Sequence, residues 1–338
     1  MNIKQNHSLK KYNTFNIEAK ADYFVELSSE ADVFSLINSD ILKNNEILII
    51  GGGCNILFVN DFKGLVVKVA NKGIEKIKED KENVYLRVAA GEDWDSFVKY
   101  CVNNNYYGAE NLSLIPGCVG SCVVQNIGAY GVELKNVFYE LTAYDIFSGD
   151  KTVFDKQKCE FGYRKSIFKN KTFSKYLIFS VVFKLSKKQN FVLDYGNIKQ
   201  EIEKLSGSKL NVKILRDVVC KIRNSKLPDI TQIGSAGSFF KNPFVSFDKF
   251  FEIKKKYPEI VAYKIKDNLY KLSAAWMVDK CGWKGKRFGD AGVYEKQALV
   301  IVNYGNATGK EIYNLSKEIQ KSVFEKFNIQ LQPEVIII

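Results

Sequence analysis

The period of the apolar positions changes repeatedly along the chain, and each change predicts an element. Alternation around Tyr23 to Leu27 predicts a strand, after which Ser28 and Ser29 stand ready to cap a short helix through Val33, Phe34 and Ile37. Ile47 to Ile50 reads as a buried strand running into Gly51-Gly-Gly-Cys-Asn55 and on into the apolar run Ile56 to Val59. That second run is too short and too β-branched to be the helix a Rossmann fingerprint requires. Val84 to Val88 alternates as a strand. Trp94, Phe97, Val98, Cys101 and Val102 then fall at i, i+3, i+4, i+7 and i+8, one face of a helix. Beyond a glycine-rich stretch at 115–131, strands are expected at Phe138 to Ile146 and Leu177 to Leu185, with a polar helical patch from Asn197 to Leu205. Past Asp217 the chain reads as loops and helices around Lys249 to Tyr257 and Ala274 to Cys281, followed by a strand at Ala298 to Val302. Thr308-Gly-Lys-Glu311 is a capping box, and Ile312, Leu315, Ile319, Val323 and Phe327 continue it as an amphipathic helix. Val335 to Ile338 reads as a buried strand entered through Pro333 and Glu334.

Helices and strands therefore interleave in an α+β pattern, and 338 residues at 46% hydrophobic content allow two or three domains. No stretch approaches the roughly 18 uninterrupted apolar residues of a membrane helix. The polar lead Met1 to Tyr12 lacks the apolar region of a secretory signal, so a cytoplasmic location is expected. Seven cysteines without a CxxC pair argue against a disulfide framework and a zinc site, so no metal is expected and the thiols read as reduced and mostly buried. The net charge of +12 suits an anionic partner such as nucleic acid, phosphate or nucleotide. The lysines are spread through the whole length without a recognisable nucleic-acid module, which points away from nucleic acid. The single histidine, His7, falls in the polar lead and reads as solvated. Proton transfer therefore falls to Ser, Tyr, Lys, Cys, a carboxylate or water.

Five segments could carry chemistry. Gly51-Gly-Gly-Cys-Asn55 sits between two apolar strands, where consecutive glycines let N–H groups converge on an anion; a tight turn uses the same residues. Ile115 to Gly131 sets Gly117, Gly120, Gly128 and Gly131 among small and polar residues, suited to lying flat against a bulky ligand rather than packing as core; a plain long loop is the alternative. Together the two imply a dinucleotide with its pyrophosphate on backbone amides, although neither matches GxGxxG or a P-loop. In Gly234-Ser-Ala-Gly-Ser-Phe-Phe-Lys-Asn-Pro243, Ser238 follows a flexible glycine and precedes two aromatics. It is a turn serine or a proton donor, and without a histidine it is not the nucleophile of a conventional triad. Glu334, at the edge of an apolar strand, is either solvated or desolvated for acid–base work. Arg164, alone among aromatics in Phe161-Gly-Tyr-Arg164, is a stacked surface residue or a clamp on a carboxylate.

The ordered set of these segments resembles the UDP-N-acetylenolpyruvoylglucosamine reductase (MurB) family over nearly the whole chain. The resemblance runs through Asn13-Thr-Phe15, Ile49 to Phe58, Ile115-Pro-Gly117, Asn126 to Leu134 and Phe161 to Phe168. Ser225-Lys-Leu-Pro-Asp229, Ala236 to Pro243 and Pro333-Glu-Val335 complete it. It implies an α+β protein of three domains: 1–66 with the strand 332–338 returning to it, 67–216, and a substrate domain 217–331. The first two resemble the FAD-binding fold of the vanillyl-alcohol-oxidase superfamily.

The resemblance further implies that hydride passes from NADPH to FAD and then from flavin N5 to C3 of an enolpyruvyl UDP-sugar. Ser238 corresponds to the donor of the proton to C2, and Arg164 and Glu334 to the pair that stabilises the enolate. FAD is then held by Gly51, Gly52, Gly53, Cys54, Asn55, Gly117, Cys118, Gly120, Ser121, Gln125, Asn126, Gly128, Ala129 and Tyr130. The UDP-sugar is held by Tyr195, Arg223, Lys226, Asn242 and Gln297, with Tyr195-Gly196 in a tyrosine loop typical of the longer form. A monomer is expected, without nucleic-acid or membrane partners. Cys54 and Cys118 stand where relatives often carry serine, and Ile336 where some carry arginine, which puts one contact to FAD and one to substrate in doubt. The rival readings are an FAD-dependent oxidase of alcohols or sugars on the same fold, and a basic nucleic-acid-binding protein.

Overall fold

Where the apolar period is strongest, the elements form as expected. Asp93 accepts the Ser96 N–H and opens the helix Trp94–Asn103, whose Trp94, Phe97, Val98, Cys101 and Val102 are all buried. Thr308 and Glu311 close a reciprocal capping box on the helix Gly309–Phe327, and Ser29 with Asp32 does the same for Glu30–Ile37. The computed structural model describes residues 1–205 and 209–338. The chain packs as two compact units, each drawn from separate stretches: 1–7, 21–53 and 62–223 form the first, and 8–20, 54–61 and 224–338 the second.

The first unit holds two larger sheets and the short hairpin Gly128–Ala129 with Val132–Glu133. In one, the strands Lys20–Leu27, Phe62–Val69 and Ile47–Ile50 lie side by side in parallel, with Lys4–Ser8 at the edge. The other is antiparallel and five-stranded, in the order Lys151–Asp155, Phe138–Asp145, Tyr176–Ser186, Asn83–Ala89, Ile74–Glu79. Parallel strands need long crossovers and antiparallel ones do not, which matches the interleaving of helix and strand early in the chain and the runs of strand later. The rings of Trp94, Phe97 and Phe183 pack together in the core, Trp94 edge-on to the other two, and the Trp94 indole N–H donates to Leu112 O.

The second unit is built on a four-stranded sheet, Gly234–Ser238, Val300–Asn303, Ala291–Val293 and Arg287–Phe288. A three-stranded sheet, Phe244–Val245, Leu269–Leu272 and Ala262–Lys266, and the helices Phe247–Lys256, Ala274–Lys280 and Gly309–Phe327 complete it. Ile336–Ile337 pairs in parallel with Ile56–Leu57.

Three expectations are corrected. The stretch from 115 to 131 does pack as core: Val119–Gln125 is a short helix that buries Val119, Cys122 and Val123, because its apolar residues are spaced for one helical face. Residues 212–226, read in part as loop, form the helix Val212–Lys226, whose interspersed charged residues masked the spacing of Val212, Leu215, Val218, Val219 and Ile222. The segment Val335 to Ile338 is not a fully buried strand; Val335 is buried, but Ile336 faces solvent and only Ile336–Ile337 is assigned as strand.

Candidate active site

Arg164 is fixed by its own chain before any ligand is considered. Gly162 and Lys165 exchange both backbone hydrogen bonds across a four-residue turn, and Arg164 takes its third position at φ +51°. Glycine or asparagine is normally favoured there, and a larger side chain costs about 1–2 kcal/mol. Three contacts hold the strained turn. Asn126 Nδ2 donates to Gly162 O at 2.8 Å, the buried Ser166 hydroxyl donates to Val124 O, and Arg164 Nη2 donates to Gly128 O at 2.6 Å. A Cβ on Gly128 would lie 2.9 Å from Arg164 Nη1, so that glycine is the space the guanidinium occupies. The guanidinium also stands over the Tyr163 ring.

Asn126 is thereby committed to the fold. Its Oδ1 accepts the Lys135 N–H, its Nδ2 is shared between Gly162 O and Glu133, and its backbone is left-handed at the end of the helix. Backbone contacts alone remain open to it as a cofactor residue. The amides of the same loop are also partly spoken for. Cys118 N–H donates to Ser121 Oγ, Val119 N–H to Glu92 O and Gly120 N–H to Ala90 O. The Cys118 and Gly120 N–H groups thus have partners within the protein, which a pyrophosphate on these amides would share or replace. Burial pushes the Cys118 thiol up, so it stays protonated and behaves as a small apolar residue.

Two observations in this unit nevertheless fit a flavin dinucleotide. A Cβ on Gly51 would stand 3.1 Å from the Ser121 side chain, so the first glycine-rich loop runs with bare backbone against the start of the second. Gln125 is buried and its Oε1 has no hydrogen-bond partner, a cost a ligand donor would remove. Gly51, Gly52 and Gly53 belong to this unit, as do Gly117, Ala129 and Tyr130, whereas Cys54 and Asn55 belong to the other.

Around Tyr130 the chain brings together several residues singled out from the sequence. Asn111 Nδ2 donates to both Tyr130 O and Val192 O at 2.8 Å, tying the 191–196 segment to the glycine loop. Tyr195 Cβ lies 3.5 Å from where a Gly131 side chain would begin, and the Tyr195 side chain is exposed. Arg223 donates from Nη2 to Leu114 O at 3.2 Å, and its Nε is buried without a partner. Burial works against the Arg223 charge and raises the Tyr130 phenol, and each group partly offsets the other's shift. Lys226 lies three residues on, in the last turn of the same helix.

Sequence reasoning passed over the residues that organise this corner. Asp95 accepts the Leu114 N–H at 2.5 Å and a two-pronged salt bridge from Arg216 at 2.8 and 2.6 Å. Burial disfavours the Asp95 carboxylate, but the Arg216 fork and the Leu114 N–H outweigh it and hold its pKa below the usual range. Leu114 itself sits at φ +56°. The position of Asp95 beside Trp94 at the start of a helix was the one available signal, and it reads as ordinary N-terminal acid.

In the second unit, Ser238 owes its position to a β-bulge. Ser235 pairs with Val302 and Ser238 with Val300, so three steps on one strand face two on the other. Gly237 absorbs the extra residue at φ +71°, and Ser238 emerges exposed between buried Ala236 and buried Phe239. Glu334 is brought beside this strand by its backbone: its N–H donates to Phe239 O at 2.7 Å, and Asn55 Nδ2 donates to Glu334 O at 3.0 Å. Asn55 thus serves the ladder that places Glu334. Asn242 Oδ1 accepts the Ala274 N–H and supports the helix Ala274–Lys280. Gln297 lies in the turn before Val300, its N–H donating to Tyr294 O.

His7 is not solvated as expected. It is half-buried against Phe24 at 4.6 Å, and burial, together with Lys4, lowers its pKa. Only Cys101, Cys122 and Cys159 of the seven free thiols are buried; the other four are half-buried. Among the described residues no cluster of three or more His, Cys, Asp or Glu could hold a metal ion, and no helix is long and apolar enough to cross a membrane.

Comparison with known proteins agrees along the whole length. Residues 229–338 match the family described as UDP-N-acetylenolpyruvoylglucosamine reductase, C-terminal domain, and residues 21–154 match the FAD binding domain. The chain is 46% identical to a UDP-N-acetylenolpyruvoylglucosamine reductase of Flavobacterium johnsoniae, covering 100% of both chains. It is 42% identical to the reductase of Pseudomonas putida over 97% of this chain and 96% of that one. The crystal structure of the reductase from Thermus caldophilus shares the fold at a TM-score of 0.69 and 20% identity, over 99% of this chain and 98% of that one. With both regions matched and full-length identity above 40%, the chain belongs to the UDP-N-acetylenolpyruvoylglucosamine reductase family.

Proposed function

We propose that the protein reduces UDP-N-acetylglucosamine enolpyruvate to UDP-N-acetylmuramate, an FAD- and NADPH-dependent step of peptidoglycan precursor synthesis. The observation that carries the reading is the bulge at Gly237, which presents an exposed serine hydroxyl on a strand whose next carbonyl fixes Glu334. FAD, when bound and reduced by NADPH, supplies a hydride to C3 of the enolpyruvyl group. Negative charge then develops at C2 and the adjoining carboxylate. Arg164 is the cation for that charge and Glu334 its hydrogen-bonding partner; groups aimed at charge that appears during reaction lower the barrier more than equal binding of the ground state. Ser238 gives its hydroxyl proton to C2; the single histidine, His7, is packed against Phe24.

The same reading assigns FAD to the loops 51–55 and 117–130, and the UDP-sugar to Tyr195, Arg223, Lys226, Asn242 and Gln297. Two cations suit a pyrophosphate. Tyr195, exposed beside Gly196 at φ +67°, belongs to a segment that folds over the substrate. The reading also includes the three-part division 1–66 with 332–338, 67–216 and 217–331, and a monomer that acts in the cytoplasm without nucleic acid. Anaerobic reduction by NADPH, followed at the flavin absorbance, tests it. Bleaching followed by rapid recovery on adding UDP-N-acetylglucosamine enolpyruvate is the expected result. Colourless protein, or reduced flavin that ignores the enolpyruvyl sugar, would overturn it.

A further inference from the structure

Asp95 stands between two arginines of one helix and serves them unequally. Arg216 and Arg223 are seven residues apart on Val212–Lys226, about two turns, and so share a face. Arg216 occupies both carboxylate oxygens of Asp95. Arg223 has none of them. Its Nη2 is spent on Leu114 O, its Nε is buried without a partner, and among the described residues no ion pair involves it. Yet Asp95 and Arg223 are close enough to influence each other's ionisation. The two ends of the Leu114 unit complete the arrangement: Asp95 takes its N–H and Arg223 its C=O, which holds the backbone at φ +56° just before Ile115-Pro-Gly117.

We propose that Arg216 is a positioning residue of the anion site: by forking Asp95 it keeps that carboxylate on the Leu114 loop and off Arg223, so that Arg223 keeps its charge for the phosphates of the substrate. A bidentate fork is the geometry that can do this, because it fixes the carboxylate in orientation as well as place. Without it, Arg223 is the other arginine whose charge acts on Asp95, and a guanidinium paired to a carboxylate is a poor ligand for a second anion. The inference rests on the reading that Arg223 binds the UDP-sugar; it adds that affinity there is set by a residue that does not touch substrate.

The test is steady-state kinetics of the holoenzyme with UDP-N-acetylglucosamine enolpyruvate for Arg216→Met, Asp95→Asn and the pair combined. Arg216→Met should raise KM about tenfold with kcat and flavin reduction by NADPH unchanged. Adding Asp95→Asn removes the released charge while keeping an acceptor for the Leu114 N–H, and should bring KM back to within about threefold of the parent. A merely structural salt bridge predicts the opposite, a double variant no better than Arg216→Met, and that result overturns the proposal. Arg216→Gln, of similar length and uncharged, makes the same comparison should Arg216→Met fail to fold. Arg223→Met separates the two levels. An unchanged KM there defeats the assignment of Arg223 itself, whereas a raised KM without rescue in the double variant defeats the role of Arg216 alone.

Discussion

Two glycines, one in each unit, stand next to the proposed chemistry for different physical reasons. Gly128 has no unusual backbone demand; its missing side chain is the volume that Arg164 fills, with Nη1 2.9 Å from where a Cβ would be. Gly237 is the reverse. Nothing lies within 4 Å of its would-be Cβ, and what the site requires is its φ of +71°. One region is over-determined, a strained arginine held by Asn126, Ser166 and Gly128 together. The other is an exposed hydroxyl set by a single backbone irregularity. A cation meant to meet charge at a fixed place benefits from the first kind of support, and a proton donor that must reach and re-protonate benefits from the second.

Three substitutions sharpen that contrast. The largest effect is expected from Ser238→Ala, which leaves the bulge in place and removes only the proton. Oxidation of reduced flavin by the enolpyruvyl sugar should slow by about 10² to 10⁴, with NADPH reduction intact; stopped-flow absorbance reads both, and unaltered reoxidation would release Ser238 from its role. Gly128→Ala should come next. The guanidinium must give way to the new methyl group, and kcat should fall by about 10 to 10² with melting temperature nearly kept; a parent-like kcat would mean Arg164 is not held where it acts. Gly237→Ala should be smallest in rate and visible instead in stability, a loss of about 1–2 kcal/mol in urea unfolding from the left-handed backbone alone. A large kcat loss without that destabilisation would show that space, not conformation, is what Gly237 supplies.

Much of this was legible in the chain. The helix Trp94–Asn103 and the capping box at Thr308 were plain because local period and local caps agreed with tertiary burial. The family resemblance put Ser238, Arg164 and Glu334 in order. What could not be read were features made by distant partners. The left-handed turn at Arg164 depends on Gly128, 36 residues away, and nothing in Gly162-Tyr-Arg-Lys165 announces it. Asp95 and Arg216 are 121 residues apart, and each looks like an ordinary surface charge until the fold pairs them. The helix Val212–Lys226 had its apolar spacing in the sequence, but six charged residues interspersed along it obscured that spacing. The glycines of 115–131 suggested a loop because they interrupt the apolar pattern, whereas Gly120 packs against Ala90 with room for no side chain.

The ladder between Ile56–Leu57 and Ile336–Ile337 bears on the order in which the chain folds. Asn55 and Glu334, which flank it, are 279 residues apart. Closing an unstructured loop of that length costs about 5 kcal/mol of chain entropy before the first ladder bond forms. Residues 62–223 lie inside the loop and belong to the other unit, so their own folding shortens the path and lowers that cost. Pairing of Ile336–Ile337 with Ile56–Leu57, and with it the backbone placement of Glu334, is therefore expected to cost less once residues 62–223 have folded.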